Sequence, residues 1–166
     1  MTRSAQRPRV FILANPVKPE VPSALEDLRA FVAEHATLAG VAQELNGRLA
    51  IEAEADLIIV LGGDGTLLAV VRSLGADQIP LVGVNFGKLG FLTQFSVHQL
   101  KEQFNAIVAN GDLVTRRSLL QVRIQHADGS DPFESLCVND CVLHAGPPFR
   151  VVCVAISLDG RQLTQV

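Results

Sequence analysis

The sequence predicts an α/β fold. A Rossmann-like parallel α/β unit is expected over residues 1–112, followed over 113–166 by the start of an incomplete all-β second unit. Three observations lead there. Short, continuous apolar runs at Val10–Ala14, Asp56–Leu61 and Ile79–Val84 read as strands buried on both faces. Between and after them lie apolar stripes at helical spacing, and strand–helix alternation implies a parallel sheet with helices packed on it. After Gly111 the helical spacing disappears and only strand-like runs remain.

Val10–Ala14 (VFILA) ends at Asn15-Pro16, a turn signal. Pro19 and Pro22 keep the next stretch irregular, and Ser23 with Glu26 has capping-box spacing. Leu25, Leu28, Phe31 and Val32 then share one face, so a helix is expected over about 23–36. Residues 37–55 admit a short strand and a turn. Thr66–Leu74 (TLLAVVRSL) reads as a helix that stops at Gly75. Ser96 and Gln99 form a second capping-box pair ahead of Leu100, Phe104, Ile107 and Val108, and this helix ends near Asn110-Gly111. Strands are then expected at Leu119–Gln125, Glu134–His144 and Val151–Leu158. Three strands over some 50 residues are marginal as an independent domain.

Composition narrows the function classes. Hydrophobic residues make up 48% and charged residues 19%, enough apolar material for a sizeable core. No apolar run reaches the roughly 20 residues of a membrane helix, and the N-terminus carries no secretory pattern, so a soluble cytoplasmic protein is expected. The net charge of −3, with no basic block and neither Trp nor Tyr, disfavours nucleic acid. Cys137, Cys141 and Cys153 are expected as buried, reduced thiols, and no set of residues at metal-ligand spacing is found.

The chemistry concentrates in Ile58–Leu68, IIVLGGDGTLL. Ligands of parallel α/β sheets bind beyond the carboxyl ends of strands, where Gly62, Gly63 and Gly65 stand. Glycines there can take positive φ and leave N–H groups uncovered, and such groups with a helix N-terminus favour phosphate. Asp64 would repel a phosphate, so its charge needs another reason. It either caps the following helix, or takes a proton from an attacking hydroxyl, or helps hold a metal on a nucleotide. The familiar nucleotide fingerprints are absent: GVNFGK at Gly83–Lys88 is one residue short of the phosphate-loop motif, with Leu89 where Ser or Thr belongs. Further on, LCVNDCVL at Leu136–Leu143 is an apolar strand carrying Asn139 on one face and Asp140 on the other. A buried Asp140 would need a partner, either a ligand's polar groups or backbone N–H groups.

GlyGlyAspGlyThr after an apolar strand resembles a kinase superfamily that includes NAD kinases, diacylglycerol-type lipid kinases and 6-phosphofructokinases. GVNFGKLGFLT at Gly83–Thr93 and VNDCV at Val138–Val142 resemble the NAD kinase forms, as does RRSLL at Arg116–Leu120. The Gly-Thr-Gly-Asn-Asp signature of lipid kinases is missing, which leaves that class as the alternative, beside a non-catalytic nucleotide-binding fragment. The resemblance runs from about residue 9 to residue 160. It implies phosphorylation of the 2′-hydroxyl of the adenosine ribose of NAD by ATP, or by inorganic polyphosphate, with Mg²⁺ or another divalent cation. It implies Asp64 as the general base, Gly65 beside the substrate, Asn139 and Asp140 binding it, and Arg150 near its phosphates. Phe91 either lines the adenine pocket or packs in the core, and His144 is expected as a solvated strand-end residue. The family also suggests a homo-oligomer.

The family continues beyond LDGRQLT with a second glycine- and threonine-rich segment in the β-domain. The resemblance therefore implies a C-terminally truncated chain with exposed strand edges and weak or no activity.

Overall fold

In a computed structural model, the structure describes residues 7–17, 19–86, 90–109, 111–138, 140–147 and 153–165. Four strands form one parallel sheet: β1 (Arg9–Ala14), β2 (Thr37–Ala42), β3 (Leu57–Leu61) and β4 (Leu81–Val84), in the order β2-β1-β3-β4. β1 lies in register against β3 from Val10 opposite Leu57 to Ala14 opposite Leu61. β3 continues the ladder with β4 from Ile58 opposite Leu81. The two central strands are buried on both faces, as their uninterrupted apolar runs require.

The strand period of two divides these side chains between two cores. Val10, Ile12 and Ala14 of β1 and Leu57, Ile59 and Leu61 of β3 face α1 (Val21–His35) and α4 (Val97–Ala109). Phe11, Leu13, Ile58 and Val60 face the opposite layer, α2 (Arg48–Glu52) and α3 (Asp64–Leu74). The helix-on-sheet-on-helix architecture is the one expected for alternating elements. α1 and α4 meet through Leu28, Val32, Leu100 and Phe104, with the Phe31 ring edge-on to Phe104 at 5.3 Å. The Ser96–Gln99 capping box at the start of α4 is formed: each backbone N–H donates to the other's side chain, at 2.9 and 3.2 Å.

Several elements differ from the sequence reading. α1 begins at Val21 with Glu20 at its N-cap, so Ser23 lies inside the helix and caps nothing; Pro22 is tolerated because the first turn has no partner for its missing N–H. Residues 37–55 resolve into β2 and the short α2. α3 starts two residues before the expected Thr66.

Among the described residues, a 3-10 turn at Gly111–Leu113 is followed by two antiparallel hairpins. β5 (Leu120–Ile124) pairs with β6 (Phe133–Cys137), and β7 (Ala155–Leu158) pairs with β8 (Arg161–Gln165). β6 stops at Cys137, seven residues short of the expected strand end, and β8 had no expected counterpart. Asp159 and Gly160, at φ 49° and 77°, make the tight turn between β7 and β8. Most hairpin side chains are exposed, including Leu120, Phe133, Leu158 and Leu163. The thiols follow suit: Cys137 is half-buried, whereas Cys141 and Cys153 are exposed, because no second layer covers them among the described residues. No described helix is long and apolar enough to cross a membrane.

Candidate functional site

The chain steps from β1 outward to β2, then returns to place β3 on the other side of β1. Strand order therefore reverses between β1 and β3, and ligands of such sheets bind in the crevice at the carboxyl ends of those strands. Asn15 follows β1 and Gly62 follows β3 at that crevice. The Asn15 N–H donates to the Leu61 carbonyl at 3.0 Å, and its Nδ2 donates to Thr66 Oγ1 at 3.2 Å.

The turn after β3 is held closely. The Gly62 N–H donates to the Val84 carbonyl at 2.9 Å, which ties it to β4. A Cβ on Gly62 would overlap the Thr66 side chain, so this glycine is needed for close approach. None of Gly62, Gly63 and Gly65 takes the positive φ that three clustered glycines suggested; among the described glycines it is found at Gly75, Gly129 and Gly160. Gly63 is extended at φ −89° and serves as the N-cap of α3, its carbonyl accepting from Thr66 N and Leu67 N. Gly65 is exposed, and a Cβ there would meet nothing within 4 Å.

Asp64 is thus the first residue of α3 and does not cap it. Its carboxylate reaches 27 to 29 residues along the chain instead. Oδ2 accepts from Phe91 N at 2.8 Å. Oδ1 accepts from Leu92 N at 3.2 Å, Thr93 N at 2.9 Å and Thr93 Oγ1 at 2.8 Å. The segment that supplies these donors is itself docked on β4: Phe95 pairs with Val84, and Asn85 N donates to the Phe95 carbonyl at 2.9 Å. Partial desolvation pushes the Asp64 pKa up, but the Thr93 hydroxyl and the Thr93, Phe91 and Leu92 N–H groups together outweigh it and hold the group below the ordinary 3.8. The carboxylate is ionised at neutral pH and sits at the positive end of a helix. Such a group can accept a proton from a hydroxyl brought to Oδ2, which among the described residues accepts the Phe91 N–H alone.

The other expected site residues are placed less completely. Phe91 is 78% exposed, so core packing is ruled out for it, and its ring lies on the surface next to the Asp64 anchor. Asp140 is exposed and follows β6 rather than lying in it, so it is not the buried carboxylate that the strand reading required. Asn139 and Arg150 lie outside the described residues. His144 is exposed, as expected of a solvated residue. Sequence reasoning missed Thr93, Gly90 and Asn15. Thr93 ends the GKLGFLT segment and is fully buried. A Cβ on Gly90 would overlap the Asp64 carboxylate.

A family model described as the ATP-NAD kinase N-terminal domain matches residues 10–113. An NAD kinase from Rhodopirellula baltica is 32% identical over 158 residues, 95% of this chain and 50% of that relative. Among solved structures, a yeast NADH kinase complexed with NADH superposes with a TM-score of 0.78 at 21% identity, covering 97% of this chain and 52% of that one. An NAD kinase from Archaeoglobus fulgidus in complex with ATP gives 0.68 at 20% identity, covering 95% and 56%. These two structures bear on the fold, and they share its α/β architecture. The chain spans about half the length of the curated relatives it matches.

Proposed function

The chain belongs to the ATP-NAD kinase family, and from that premise we propose that it acts in phosphorylating the 2′-hydroxyl of the adenosine ribose of NAD with ATP, giving NADP. The observation that carries this reading is the Asp64 carboxylate, ionised and fixed by four donors at the crevice where the strand order reverses. The relatives' names, and the NADH and ATP that accompany the two solved neighbours, support the choice of substrates.

In the proposed step the ribose 2′-oxygen attacks the γ-phosphorus of ATP. Its O–H bond breaks and the proton passes to Asp64. The bond from the γ-phosphorus to the bridging oxygen breaks, and ADP leaves with that electron pair. Asp64 suits the task because it is already charged and because its orientation is set before substrate arrives. Gly65 offers an uncovered backbone beside it, and Gly62 and Gly63 lead into the N-terminus of α3, where phosphate is favoured. Phe91 offers an exposed ring for the adenine. Asn139, Asp140 and Arg150 are proposed as further substrate contacts.

Among the described residues no three His, Cys, Asp or Glu side chains cluster, so they do not form a protein cage for a metal. A divalent cation would arrive on the ATP phosphates and neutralise their charge, as is usual for Mg²⁺. A cytoplasmic location and self-association complete the proposal.

The reading is tested by incubating the chain with NAD, ATP and Mg²⁺ and measuring NADP, while calorimetry follows NAD binding. Saturable NAD binding is expected, together with NADP formation, even at a low rate, that requires all three components. Absence of both would overturn the proposal.

A further inference from the structure

We propose that Thr93 is the positioning residue of this site: its hydroxyl and amide anchor Oδ1 of Asp64 and so present Oδ2 to the reacting hydroxyl. The inference rests on Asp64 acting as the base.

The donors are unevenly divided. Oδ1 accepts three hydrogen bonds, two of them from Thr93, whereas Oδ2 accepts one, from Phe91 N. A carboxylate oxygen with three donors has little capacity left, so the proton falls to its neighbour. Thr93 can impose this because its own position is fixed. It is fully buried; among the described residues the other buried polar side chain, Thr66, keeps some exposure. A Cβ on Gly83 would overlap the Thr93 methyl group and the Leu67 side chain, so Gly83 of β4 provides the space in which that methyl sits. With the methyl held there, the hydroxyl points at Asp64. The Gly90 N–H donates to the Thr93 carbonyl at 3.1 Å, closing a turn whose inner side has room for the carboxylate only because residue 90 lacks a side chain. A buried hydroxyl whose rotamer is set by packing, directed at one oxygen of an ionised group, is the arrangement that holds a reacting group to a fraction of an ångström.

Thr93→Val keeps the shape and removes the hydroxyl, and Thr93→Ser restores it. In NAD phosphorylation, T93V is expected to lose about 100-fold in kcat with little change in KM for NAD, the signature of a displaced reacting group. T93S is expected to regain most of that loss. In a chain carrying ¹³C-labelled aspartate, the Asp64 carboxyl resonance should titrate below the ordinary range in the wild type and T93S, and move up in T93V. This last readout does not depend on turnover, and a purely structural tie would leave the KM–kcat split and the serine rescue unseen. Should T93V fail to fold, Gly90→Ala keeps the threonine but crowds both the carboxylate and the Thr93 hydroxyl that holds it, and it too should lower kcat. Wild-type kcat in T93V or G90A, or an unmoved Asp64 titration in T93V, overturns the assignment of Thr93. An active Asp64→Asn variant would instead overturn the base itself, so the two failures are distinguishable.

Discussion

Asp64→Asn should lower kcat for NAD phosphorylation by about 10³-fold, the scale expected when a positioned proton acceptor is removed, while the Kd for NAD changes by less than about threefold, as for a group acting in the transition state only. Asparagine has nearly the same shape but cannot take the ribose proton. It also brings an NH₂ group toward a site lined by three N–H donors, Phe91 N, Leu92 N and Thr93 N, and by the Thr93 hydroxyl, which donates to Oδ1 in the native chain. At least one of those N–H groups then loses its acceptor, so D64N should also be less stable, by about 1–2 kcal/mol. The pH dependence follows from the direction of the Asp64 shift. Its folded-state pKa lies below 3.8, so its ionised form stabilises the native chain above that value. That contribution is lost as the pH falls below 3.8 through the folded value. Urea unfolding at pH 7 and at pH 3 should show the wild-type advantage over D64N shrinking in acid. Undiminished turnover in D64N would remove Asp64 from the chemistry.

Phe104→Ala should be the most damaging change to the fold. Phe104 is 1% exposed, lies in the core between α1, α4 and the sheet, and meets the Phe31 ring edge-on. Truncating a fully buried phenylalanine costs about 3–5 kcal/mol, which corresponds to a fall in Tm of roughly 10 °C in a chain of this size. Thermal unfolding followed by circular dichroism measures it. Phe104 belongs to the core on the α1/α4 side, whereas Asp64 opens α3 on the opposite side of the sheet. Below its melting temperature, F104A should therefore keep wild-type kcat per folded molecule. A loss in Tm of less than 2 °C would mean that this core collapses around the missing ring.

The parts of the fold that were readable from sequence are those with a strong local period. β1, β3 and β4 are continuous apolar runs because both their faces are covered, and α3 and α4 carry clean apolar stripes. β2 was ambiguous because it is a half-buried edge strand containing Gly40, where a Cβ would meet the Phe11 ring. Ser23–Glu26 imitated a helix start one turn too late, since capping-box spacing also arises by chance inside a helix. LCVNDCVL read as one strand because its apolar residues suggested burial. Val142 and Leu143 are in fact 75% and 73% exposed, and among the described residues no neighbouring layer covers them past the end of β6 at Cys137. Asp159-Gly160 is a strong hairpin signal that, given weight, would have revealed β8. In the site, Asp64 was legible because an acid among glycines at a strand end is chemically conspicuous. Thr93 and Gly90 were not, since their meaning lies in a contact formed only by the tertiary fold.

The most direct test of the central claim is a crystal structure of the chain with NAD bound. The account predicts the adenosine 2′-hydroxyl within hydrogen-bond reach of Asp64 Oδ2, about 2.6–3.2 Å, with Thr93 still holding Oδ1. A dinucleotide seated away from the turn after β3, its ribose out of reach of Asp64, would contradict it.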